Sequence, residues 1–217
     1  MNVTPHFLTA GSPKLASGKS RILSLTKKTI RVVTAALPSR HEVDIVYSVN
    51  PQATIPEYGI GGYTPNAHTV FISLDPDHQQ FAQSVRSQLP RTIAHELHHA
   101  VRWLRPGYGI TLGEAVVTEG LAGQFELQLF GGQPNPWDVA LTGARLQQLL
   151  RRAKPAFTSI AYDHRAWFFG DRQARLPRWG GYALGFYLVG RYLANHKRLP
   201  SQLVHTPAST ILKEANI

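Results

Sequence analysis

The feature that most constrains this chain is a helical stretch bounded by two prolines. Pro90 falls at a helix start, where its missing N–H costs nothing, and Pro106-Gly107 stops the run after about Leu104. At ~100° per residue with His95 at zero, His99 falls near ~40°, while Ile93, Leu97, Ala100, Val101 and Leu104 gather on the opposite side. Such a helix packs one face on a core and turns both imidazoles away from it. The segment it carries is His95-Glu96-Leu97-His98-His99. Histidines four apart lie one turn above each other, so both rings can reach one cation. Glu96 lies beside that cation, within reach of a bound water. His98 points off this axis and reads as a supporting or surface group. Arg102 reads as an exposed cation near the helix C-terminus or a partner for a substrate carboxylate.

A third ligand is expected from the next helix. Thr111-Leu112-Gly113-Glu114 has the form of a capping box, and Gly131-Gly132 ends the helix it opens. Glu114 and Glu119 compete for the metal. Glu114 is committed to the cap, so Glu119 is the choice, with Gly120 and Gly123 expected to let this helix approach the histidine helix closely. Cysteine is absent, which excludes disulfides, thiolate ligands and thiol nucleophiles. Two His and one Glu with no thiolate suit one Zn2+. Glu96 would then be the general base of a metal-assisted hydrolysis. The oxyanion of such a reaction needs a donor. Tyr182, beside two glycines at a helix start, is the first candidate and His164 the second.

The rest of the chain frames these helices. Pro5, Gly11, Pro13 and Gly18 mark residues 1–20 as an irregular basic arm. A helix is expected over 20–37, stopped by Pro38, and alternation predicts strands over 43–49 and 69–74. Tyr58-Gly59-Ile60-Gly61-Gly62-Tyr63-Thr64 reads either as an edge strand able to receive a peptide by strand addition or as a glycine-rich hairpin turn. Asp75-Pro76-Asp77 would cap a helix over 78–89, and Asn135-Pro136 one reaching about residue 153. Residues 154–179 give no clear pattern. A buried helix follows over 181–195, and Thr206-Pro207 opens a last short one. No repeat or interdomain linker is visible, so one domain is expected over 21–217, with a sheet-containing half (21–106) and a helical half (107–217).

Charge is unusual, with 23 basic residues against 13 acidic ones and a net charge of +10. Lys14, Lys19, Arg21, Lys27, Lys28, Arg31 and Arg40 all precede the first acid, Glu42. A solvated basic face is the favoured explanation, with nucleic acid or an acidic membrane surface as the alternative partner. The start lacks a continuous apolar core of secretory length, which points to the cytoplasm and leaves a transit peptide open. The longest apolar run, 182–189, is too short to span a bilayer.

On His95-Glu96-Leu97-His98-His99 followed by Glu119-Gly120-Leu121-Ala122, the chain resembles the gluzincin type of zincin metallopeptidase. More closely it resembles a bacterial family of predicted zinc-dependent proteases catalogued as a domain of unknown function. The likeness runs over about residues 40–215 and includes Gly181-Tyr182-Ala183-Leu184-Gly185 and Thr206-Pro207-Ala208. It implies an α+β zincin-like fold, with a small mixed sheet, an edge strand over the His95–His99 helix, and a helical C-terminal half. It also implies peptide or protein substrates. The gluzincin pattern often places an acid soon after the third ligand to orient a ligating histidine; this chain has Gly123 there, and the resemblance leaves Glu126 and Asp138 as the candidates for that role.

Overall fold

The computed structural model describes residues 1–214. They are a mixed α+β chain that divides into two units, Met1–Leu104 and Arg105–Ile217.

The first unit holds one four-stranded mixed sheet. Its elements are β1 (Asn2–Phe7), α1 (Pro13–Ala36), β2 (Glu42–Val49), β3 (Ile60–Asn66), β4 (Thr69–Leu74), α2 (Phe81–Ser87) and α3 (Leu89–Leu104). The strand order is β1-β2-β4-β3, with β1 and β4 parallel to β2 and β3 antiparallel to β4. Parallel neighbours need a long crossover, and α1 supplies it between β1 and β2. Val43, Ile45 and Tyr47 alternate inward from β2, as the period of two requires. The Tyr47 hydroxyl shares a 2.7 Å hydrogen bond with Thr26 Oγ1 on α1, so this buried phenol has a polar partner.

The N-terminal expectation is overturned. Residues 1–20 are not an irregular arm but a strand followed by the first turns of a 24-residue helix. Pro5 is compatible with β1 because this strand lies at the sheet edge, where one row of backbone groups needs no ladder partner. Pro13 begins α1 rather than breaking it: Ser12 is the N-cap, its Oγ accepting from Leu15 N at 3.3 Å. The Tyr58–Thr64 segment runs into an edge strand and is not a glycine-rich hairpin turn: β3 is the other edge of the sheet and pairs antiparallel with β4, and the turn between them falls at residues 67–68.

Two helix starts also differ. Asp75 does not cap a helix at residue 78; its Oδ1 accepts from Asp77 N, and α2 begins three residues later without a side-chain cap. Asn135 does not open a helix either. It is buried, with Nδ2 donating to Glu126 and its backbone N–H to Asp138, which closes a turn instead. The fourth expected helix therefore starts only at Gly143.

The second unit is helical: α4 (Leu112–Phe130), α5 (Gly143–Ala153), α6 (His164–Phe169), α7 (Gly180–His196) and α8 (Ala208–Glu214). α4 is buried over most of its surface, with Ala115, Val116, Val117, Leu121, Ala122 and Phe125 fully enclosed. It crosses α7 at backbone contact. A Cβ on Gly120 would lie 2.2 Å from the Gly185 carbonyl oxygen, and one on Gly185 would lie 2.1 Å from that of Val116. Gly120 thus serves the α4–α7 crossing. Gly123 sits against Asp138 and Phe186. No helix among the described residues is long and apolar enough to cross a membrane.

Candidate metal centre

α3 divides its faces largely as the sequence predicts. Ile93, Leu97, Ala100 and Val101 are buried in the core, whereas Leu104, at the fraying end, is 44% exposed. His95 and His99 sit one turn apart with ring centroids 4.6 Å from each other and planes almost perpendicular. Two residues on this helix are deeper than expected. His98 is fully buried, and Arg102 is 1% exposed, so neither is a surface group and Arg102 does not offer an open cation to a ligand. Both lie on turns of α3 that are enclosed on more sides than a two-sided helix pattern implies.

Glu96 is held by β3. Thr64 Oγ1 donates to Glu96 Oε2 at 2.6 Å and also approaches the Glu96 carbonyl at 3.1 Å. Trp103, two turns further along α3, donates from Nε1 to the Thr64 carbonyl at 2.9 Å, which ties strand and helix together at that residue. Gly62 leaves room for the carboxylate: a Cβ there would fall 2.4 Å from Glu96 Oε1. Glu96 is 6% exposed, and a carboxylate that deep needs such donors.

The capping box at α4 forms as the sequence predicts. Thr111 Oγ1 accepts from Glu114 N, and Glu114 Oε2 accepts from the backbone N–H groups of Ile110 and Thr111. Glu114 is thereby committed to the cap. The Tyr108 hydroxyl donates to Glu119 Oε1 at 2.6 Å. Burial, followed by the charge of Glu119, holds the Tyr108 phenol well above its ordinary range, so it keeps its proton and stays a donor. Tyr108 itself is anchored, since its carbonyl accepts from Thr118 Oγ1 at 3.0 Å.

His95, His99 and Glu119 form a group that could hold a metal ion. Each offers one ligand atom, and the three atoms lie within 4.8 Å of one another. His95 is half-buried; His99 and Glu119 are buried. The donor set of two imidazoles and one carboxylate fits Zn2+.

Tyr182, on the first turn of α7, packs edge-on against Phe168 at 5.0 Å and Phe169 at 6.2 Å, and its charge state is felt by Tyr108. His164 stacks on Phe168 at 4.4 Å and hydrogen bonds the Tyr162 hydroxyl at 3.2 Å. Burial pushes its pKa down, opposed by the charges of Glu119 and Asp163. Glu126 and Asp138, named as candidate supporting acids, are buried around Asn135. Tyr108, Thr64 and Gly62 were not singled out from the sequence as residues of the centre. The glycine-rich segment before Thr64 was a usable signal for two of them; nothing local to Gly107-Tyr108-Gly109 marks the third.

A family described as "Predicted Zn-dependent protease (DUF2268)" matches residues 22–213, and the chain belongs to that family. Two proteins of Bacillus subtilis (strain 168) are similar to it. "Uncharacterized protein YjfC" is 27% identical over 143 residues, covering 60% of this chain and 48% of the relative. "Uncharacterized protein YjaZ" is 30% identical over 127 residues, covering 55% and 48%. The chain spans about half the length of these curated relatives. No solved structure matches the chain.

Proposed function

We propose that this chain is a zinc metallopeptidase of the gluzincin type on a zincin-like fold, with peptides or proteins as substrates. His95, His99 and Glu119 would hold one Zn2+. The observation that carries the reading is that His95, His99 and Glu119 each offer a ligand atom within 4.8 Å of one another, while Glu96, next to His95 in the chain, is separately clamped by Thr64. When bound, the ion would supply Lewis acidity, lowering the pKa of water and polarising a carbonyl.

The chain's own residues do the rest. Glu96 takes the proton of the attacking water and delivers it to the leaving amine. Its Oε2 is engaged by Thr64, and the Gly62 side of the carboxylate has no Cβ to crowd it. Tyr108 holds Glu119 in place through Oε1. β3, as an edge strand, can align a substrate backbone by strand addition. We assign Tyr182 as the candidate donor to the tetrahedral oxyanion.

The deciding experiment is zinc analysis of the purified protein with a peptide-library cleavage assay, wild type beside Glu96→Gln. Glu96→Gln should keep zinc and lose turnover, while His95→Ala should lose zinc. Cleavage by Glu96→Gln at the wild-type rate ends this mechanism.

A nucleic-acid partner is a second reading, favoured by one observation. Lys19, Arg21, Lys27, Lys28 and Arg31 are all exposed along α1, a helix without a single acid. Strongly salt-dependent binding of duplex DNA supports it, and no binding at low salt removes it.

A further inference from the structure

Apart from the metal centre, the second unit contains a groove of about 420 Å³ between α5 and the turn at residues 171–177. That volume is in the range of small-ligand sites, roughly 300–1,000 Å³. On α5, Arg145, Gln148, Leu149 and Arg152 follow at spacings of three, one and three, which places them on one face of the helix. Across the groove stand Arg175 and Pro177, on a turn closed by paired backbone hydrogen bonds between Asp171 and Leu176. Three arginines line this space, and no acid does.

Two observations separate the groove from an ordinary solvated basic surface. Arg152 is already fixed: its Nη1 donates to the Arg175 carbonyl at 3.1 Å and its guanidinium lies 5.9 Å over the Trp167 ring. Arg175 occupies a left-handed backbone conformation with φ 50°, which carries a steric cost for a residue with a side chain. Glycine or asparagine would relieve that cost, whereas an arginine elsewhere on the surface would supply the same net charge without it. Among the described residues no acid pairs with Arg145, Arg152 or Arg175, in contrast to Lys14, which is paired with Asp77. Like charges brought together this way repel one another, and an anion relieves the repulsion.

We propose that this groove binds a small phosphate-bearing anion. The guanidinium fork matches phosphate oxygens two at a time. One carboxylate saturates a single fork, while three forks match the several oxygens of clustered phosphates. Leu149 and Pro177 give an apolar wall for the uncharged part of such a ligand. The site does not depend on the zinc reading.

Calorimetric titration of the full chain at low salt tests it, with tripolyphosphate and ATP as probes. The first reads phosphate alone and the second reads phosphate with an attached base. Both should bind, and citrate should bind at least about tenfold more weakly, because it lacks the clustered tetrahedral oxygens. The exposed pair Arg145→Gln and Arg175→Gln should lower tripolyphosphate affinity by about tenfold or more. A charge-matched pair on α1, Lys27→Gln and Lys28→Gln, should change it less than about twofold, the effect of net charge at a distance. His95→Ala should bind as the wild type does, which keeps this site distinct from the metal centre. The proposal is overturned by absence of binding, by equal losses in the two charge-matched pairs, or by citrate binding as tightly as tripolyphosphate.

Discussion

Thr64 Oγ1 lies 2.6 Å from Glu96 Oε2, a strand hydroxyl donating to a carboxylate on the neighbouring helix within one unit. This bond fixes the carboxylate that the proposed reaction uses as its base. It also explains the glycine two residues earlier: Gly62 and Thr64 point to the same side of β3, so one leaves space where the other makes contact.

Removing the hydroxyl tests that relationship. A hydrogen bond to a charged group is worth about 1.5–3 kcal/mol, so Thr64→Val should lower kcat about 10- to 100-fold with zinc retained. Thr64→Ser should restore most of it. Gly62→Ala should act the same way, because its Cβ would sit 2.4 Å from Glu96 Oε1 and displace the carboxylate. Wild-type kcat in both Thr64→Val and Gly62→Ala would show that neither residue positions Glu96.

Tyr108 acts on a ligand and not on the base, so its readout differs. Tyr108→Phe leaves a buried Glu119 oxygen without this donor, and loss of such support typically costs about 10- to 100-fold in metal affinity. Competition with a chromophoric chelator measures this directly, whatever the activity. An unchanged zinc affinity would leave Tyr108 with a packing role alone.

Alkaline stability should report Tyr47. Burial raises its pKa far above the ordinary value near ~10, more than the Thr26 hydrogen bond lowers it. Above about pH 10 the unfolded chain therefore gives up a proton that the folded chain keeps, and stability falls as pH rises. Each such group contributes about 1.4 kcal/mol per pH unit. Urea unfolding of Tyr47→Phe at about pH 9 and about pH 11 should show a shallower decline by that amount. A slope equal to that of the wild type contradicts the assignment.

The α4–α7 crossing sets a stability test in the second unit. Gly120→Ala would push a methyl group to 2.2 Å from the Gly185 carbonyl, which is backbone and cannot swing aside. A loss of about 3 kcal/mol is expected, at the upper end for overpacking, read as a lower denaturation midpoint. Little or no loss would mean that the helices separate easily.

What the sequence determined by itself was local chemistry. The apolar stripe of α3 and the four-residue spacing of His95 and His99 follow from helix periodicity. So does the assignment of Glu114 to the cap, which singled out Glu119. Pro90 and Thr111 gave helix starts for the same reason, since capping acts over one turn. Only the tertiary structure decided where proline is harmless, because Pro5 is tolerated through β1 being an edge strand, a property of sheet order. It also decided that Gly120 serves α7, that Arg102 is buried, that Thr64 meets Glu96 and that Tyr108 meets Glu119. Thr64 is 32 residues from Glu96 and Tyr108 is 11 from Glu119. Contacts over such separations depend on how elements pack, and no local period in the chain encodes that.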